Sequence, residues 1–115
     1  MVENKSIYFK HKGKKITLDV ETLGFFGKVF GLMFMPRENA NALLFDFKKP
    51  TRVRIHSFFV FFPFVAVWLD DKNKIVQIKK VMPFISSIRC KKNFYKLIEI
   101  PFNTKYDGKI KLLYP

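Results

Sequence analysis

The run from Ile55 to Leu69, IHSFFVFFPFVAVWL, limits the possible folds more than any other stretch of the chain. Twelve of its fifteen residues are apolar, and only His56, Ser57 and Pro63 interrupt it. As one helix it would span roughly 22 Å, short of a hydrocarbon core of ~30 Å, so a membrane span is the weaker reading. As one strand it would reach about 50 Å, far beyond the usual ~20 Å. Pro63 lacks the amide hydrogen that a central ladder needs, so it divides the run into two strands, Arg52 to Phe62 and Phe64 to Asp70. Alternation in the first puts Val53, Ile55, Ser57, Phe59 and Phe61 on one face, opposite Arg52, Arg54, His56, Phe58, Val60 and Phe62. The second is apolar on both faces, which suits a sheet covered on both sides or the wall of a small closed barrel.

Shorter alternating runs surround this pair. Ser6 to His11 and Lys15 to Val20 read as a hairpin turning at Lys12, Gly13 and Lys14, with Ile16, Leu18 and Val20 inward. From Glu21 to Met33 the period changes. Phe26, Val29, Phe30 and Met33 recur at helical spacing, Thr22 is a candidate N-cap, and a short helix ending at Gly31 follows. Pro36 to Ala42 is a loop, Leu43 to Phe47 a strand, and Lys48 to Pro50 a turn. Lys74 to Lys80 completes a second hairpin through Asp70 to Asn73. Val81 to Ser87 reads as an irregular crossing and Ile88 to Asn93 as an exposed basic segment. Phe94 to Ile100 and Lys109 to Tyr114 are the last strands, the latter with Ile110, Leu112 and Tyr114 inward. The sum is one mostly β domain of about eight short, largely antiparallel strands with one short helix, a barrel-like sheet.

At 115 residues, with 49% hydrophobic content and 15 Phe, such a domain supports an aromatic core without staples. Cys90 is the single cysteine, so no internal disulfide forms, and the first residues lack the apolar core of a secretory signal. A cytoplasmic location is the expectation. The net charge of +13 favours polyanions through a salt-sensitive, sequence-independent attraction. Lysine dominates that excess, however, and bidentate recognition of guanine and phosphate is mainly arginine chemistry.

Catalytic patterns are missing. Ser57 and His56 are neighbours on a strand and point to opposite faces, and Cys90 has no sequence-assigned base. His11, His56 and Cys90 show no metal-ligand spacing, and Asp70 with Asp71 reads as a self-capping turn. Nothing demands an enzyme, a metal or a cofactor. The candidate binding residues are His56, Arg54 and Arg52 on one strand face, together with the loop cation Arg37.

Several segments taken in order resemble the domain of unknown function 192 family, also called uncharacterised protein family 0127. They are Gly31-Leu32-Met33-Phe34, Phe45, Ile55-His56-Ser57, Leu69-Asp70 and Ile98-Glu99. The Ile-His-Ser segment resembles archaeal-type members. The resemblance covers roughly Thr22 to Leu113 and implies a compact β-rich, barrel-like domain without an established activity. Where members often carry Phe-Pro-Ile-Asp, this chain has Phe62-Pro63-Phe64-Val65 and so lacks that carboxylate. The leading expectation is a non-enzymatic binding module whose basic surface meets a polyanion, such as nucleic acid, or an anionic small ligand. The rival is a small-ligand receptor or enzyme with a pocket near His56, Arg54 and Arg37. Membrane association through the Phe-rich stretch is a third. Oligomeric state is left open by an edge strand or exposed Phe.

Overall fold

A computed structural model describes residues 3–22 and 31–114. Six strands form one sheet: β1 (Glu3–His11), β2 (Lys14–Thr22), β3 (Leu43–Thr51), β4 (Phe64–Leu69), β5 (Ile75–Val81) and β6 (Phe94–Pro101), in the order β1-β2-β3-β6-β4-β5. All pairings are antiparallel except the short β2–β3 contact. The right-handed twist of the strands curls this sheet into a half-barrel whose edge strands, β1 and β5, approach each other. The protein is thus mostly β and antiparallel-rich. One short helix, α1 (Asp107–Leu113), follows β6.

The β1–β2 hairpin turns at Lys12 and Gly13, both at positive φ, and Ile16, Leu18 and Val20 are buried as the alternation requires. These side chains meet Leu44, Val65, Val67, Ile98 and Ile100 inside the curl. The outer face carries a second core, in which Phe45, Phe62, Phe64, Trp68, Phe94 and Leu97 pack together. Strand β4 therefore contributes to both cores and is buried along its whole length.

The outer core is covered by segments that are not strands. Arg52 to Phe62, expected as a strand, makes a single bridge, Ile55 with Ile88. Beyond it a turn closes from the Val60 N–H to the Ser57 carbonyl, and Phe59 takes φ 63°. That turn replaces a period of two with an inward set of Ser57, Val60 and Phe62, leaving Phe58, Phe59 and Phe61 exposed. Lys109 to Tyr114 also departs from expectation. Up to Leu113 it belongs to α1, with Tyr114 as the C-cap; Ile110 and Leu113, three residues apart, are buried, and Leu112 and Tyr114 are exposed. These two changes reduce the expected eight strands to six. Thr22 is the last residue of β2, and the rest of the helix expected before Gly31 falls outside the described residues.

The 82–93 segment is irregular, as its proline suggests, but only partly exposed: Ile88 and Cys90 are buried while Arg89, Lys91 and Lys92 face solvent. Ser57 locks the two covering segments together. Its Oγ donates to the Met82 carbonyl at 2.6 Å and accepts from the Ile85 N–H at 2.8 Å.

Candidate functional site

Under the cover lies a cavity of about 120 Å³ lined by Leu32, Phe45, Leu97 and Glu99 below and by Arg54, Ile55 and His56 above. Glu99 sits mid-strand in β6, paired with Leu43 on one side and Ala66 on the other. It is 6% exposed, and among the described residues no hydrogen bond or ion pair reaches its carboxyl. Burial alone pushes its pKa up to about 8, so near neutrality the group is largely a protonated acid able to donate a hydrogen bond. Gly31, at φ +54°, allows the chain to pass close: a Cβ there would lie 3.4 Å from Glu99 Oε1.

Arg54 and His56 thus share a cavity, while the other two candidates lie elsewhere. Arg52 donates to the Lys91 carbonyl at 2.6 Å. Arg37 Nε donates to the Phe102 carbonyl at 2.6 Å, bracing the Arg37–Asn39 turn against the end of β6. Asn103 reinforces that brace, donating to the carbonyls of Arg37 and Ala40. Nearby, the Glu38 carboxylate accepts from the Thr104 hydroxyl and N–H, which lowers its pKa. Sequence patterning did not single out Glu99 for a role. The available signal was a lone acid inside the apolar run Leu97 to Pro101, a place where charge is rarely tolerated.

Basic side chains gather in two places. Across the Ile55–Ile88 bridge, Arg54 and Arg89 are opposed, and with Arg52, Cys90 and Lys91 they line a depression of about 470 Å³ without a carboxylate. The second site lies where the sheet edges meet. The tip of the β1–β2 hairpin and the β4–β5 turn enclose a cleft of about 700 Å³ lined by Lys10, Lys12, Lys15, Lys72 and Lys74, with Tyr8 and His11. Lys15 Nζ lies 4.4 Å from the Tyr8 ring centre. Asp70, in the same turn, is directed onto its own backbone and accepts from the Lys72 and Lys74 N–H groups. His11 Nε2 is enclosed and has no hydrogen-bond partner among the described residues. No cluster of three metal-ligating side chains occurs among the described residues, and no helix there is long and apolar enough to cross a membrane.

A family model for DUF192, described as Uncharacterized ACR, matches residues 7–111. The chain belongs to this family. The DUF192 fold recurs in two solved structures. One, from Sinorhizobium meliloti 1021, is described as a "putative transcription regulator". It has a TM-score of 0.76 at 20% identity over 96% of this chain and 84% of the other. The second, a protein of unknown function from Novosphingobium aromaticivorans DSM 12444, has a TM-score of 0.73 at 12% identity over 99% and 80%. No match was found among curated proteins. At these identities the likeness establishes a shared DUF192 fold and nothing about chemistry.

Proposed function

We propose that this DUF192 protein is a small, non-enzymatic binding module whose lysine-lined cleft holds an anionic partner. One observation carries the proposal: five lysines from two hairpins line a concave site whose lining includes no acid, beside a histidine nitrogen that has no partner among the described residues. Holding like charges together is unfavourable unless an anion offsets the repulsion. Nucleic acid is one such partner, and the description of the Sinorhizobium meliloti neighbour as a "putative transcription regulator" supports it. The free, buried Cys90 is in keeping with a cytoplasmic setting, and the Ile55-His56-Ser57 segment supports a place among archaeal-type members.

The test is a titration of labelled RNA and DNA at low and moderate salt, with wild type and with Lys72→Glu/Lys74→Glu. Binding should weaken with salt on a log–log line, each lysine contributing a slope of about 0.9 on duplex DNA. The double variant should lower that slope by about 2. Absence of binding at low salt refutes the polyanion reading.

A second reading rests on Glu99. A protonated acid on a largely apolar cavity that Arg54 also lines suits a small anionic ligand, the acid donating a hydrogen bond and a nearby cation offsetting the ligand's charge. Screening small carboxylates by shift of the melting temperature, with Glu99→Ala as control, tests this reading. Equal shifts in both proteins would reject it.

A further inference from the structure

We propose that the surface carrying Phe34, Phe59, Phe61 and Phe84 docks onto an anionic lipid bilayer. These rings are 62%, 50%, 58% and 57% exposed, yet they form one contiguous cluster. Phe34 stacks on Phe59 at 5.1 Å, and Phe61 meets Phe34 at 6.3 Å and Phe84 at 5.8 Å. The exposed side chains of Met35, Met82 and Ile85 extend from the same loops. Scattered exposed apolar residues are ordinary, but a packed cluster of this kind marks an interaction surface.

The backbone holds these rings outward at an energetic cost. Phe34, Phe59 and Phe84 all occupy the left-handed region, at φ 63°, 63° and 64°, which disfavours a bulky side chain. Backbone bonds fix two of the three: the Phe34 N–H donates to the Phe59 carbonyl and the Phe84 N–H to the Ser57 carbonyl, each at 2.9 Å. A rigid frame presents the rings, so little further ordering is needed when they enter a hydrocarbon boundary.

Charge selects the occupant. The cluster continues through Phe58 to His56, 6.1 Å away, and so to the depression where Arg52, Arg54, Arg89 and Lys91 gather without a carboxylate. Cations beside inserting aromatic rings complement acidic headgroups above acyl chains. A second copy would bring its own net charge of +13, and the same arginine border, against this one. The Met and Ile side chains offer no stacking face to a base.

Co-sedimentation with phosphatidylcholine vesicles, with and without phosphatidylserine, tests the proposal on the full chain. Wild type should bind the mixed vesicles and bind phosphatidylcholine alone weakly. Phe59→Asn/Phe61→Ser should weaken binding by about tenfold or more, and asparagine tolerates the left-handed backbone, so folding is retained. Arg54→Gln/Arg89→Gln should weaken it by about tenfold and flatten its salt dependence. In a separate measurement, Phe61→Trp should give emission that shifts to the blue on mixed vesicles and becomes shielded from acrylamide. Unchanged emission, or Phe variants that bind like wild type, would overturn insertion and leave adsorption through lysines. A concentration-dependent dimer dispersed by the Phe substitutions would assign the surface to self-association and overturn the lipid proposal. Loss of nucleic-acid binding in the Phe variants, without vesicle binding by wild type, would overturn it equally. Failure of the lysine-cleft titration leaves this proposal standing, because the Phe variants retain every residue of that cleft.

Discussion

Replacing Glu99 by Gln removes an ionisable group from the cavity floor while keeping its shape. In the folded protein burial raises this carboxyl from an ordinary 4.5 to about 8. Between those values the folded state holds a proton that the unfolded chain has released, so stability falls as pH rises. The stabilisation from that proton is complete below about pH 4.5 and is lost as pH passes through about 8. At ~1.4 kcal/mol per pH unit, the full window corresponds to on the order of 5 kcal/mol. Unfolding by urea at a series of pH values from 5 to 9 should therefore show wild type losing stability relative to Glu99→Gln. The two should be similar near pH 5, and the variant should be more stable near pH 9. Taking the difference between the proteins cancels every other titrating group. Parallel stability profiles would refute the argument, because they would mean that Glu99 ionises as freely in the folded protein as in the unfolded chain.

Two further substitutions probe the frame around the site. Ser57→Ala leaves the Met82 carbonyl and the Ile85 N–H without their side-chain partner. It should destabilise by about 2–4 kcal/mol, seen as a drop on the order of 10 °C or more in the melting temperature. Asn103→Ala removes donors to the carbonyls of Arg37 and Ala40 and an acceptor from the Lys105 N–H. A loss of about 2–3 kcal/mol in urea unfolding is expected, with no change in the salt slope of polyanion binding.

The strands that the sequence revealed are those whose neighbours impose a period of two. The β1–β2 hairpin pairs Ile16 with Phe9 and Leu18 with Ile7, so alternation and burial coincide. Strand β4 was legible as buried on both faces because Phe64 to Leu69 has no polar residue to place outward. The approach to Pro63 misled for the opposite reason. A run of phenylalanines satisfies any period, and a hydrogen bond from Val60 to Ser57 decided which rings turn inward. Over Lys109 to Tyr114 the apolar residues Ile110, Leu112, Leu113 and Tyr114 satisfy both a strand and a helix pattern, and packing of Ile110 and Leu113 into the inner core selects the helix. Of the candidate site residues, His56 and Arg54 lie together because one covering segment carries both. Arg37 and Arg52 lie outside that cavity, each bound to a distant carbonyl that no local pattern encodes, although Arg52 shares the neighbouring depression with Arg54.

The β4–β5 hairpin sets how the two proposed surfaces relate. Its turn, Asp70 to Lys74, contributes to the lysine cleft, while its open end leads into Phe61 before β4 and Phe84 after β5. Six residues of strand separate these ends by about 20 Å, more than twice the ~8 Å screening length at physiological ionic strength. Charges at one end are therefore weakly felt at the other. Polyanion binding in the cleft and docking of the Phe cluster should combine with little coupling, so the free-energy effects of Lys72→Glu and Phe61→Ser add. A molecule arranged this way can hold an anion on the side facing away from a surface on which it rests. That requires the hairpin to stay rigid between its ends, and the complete burial of β4 between two cores supplies the rigidity.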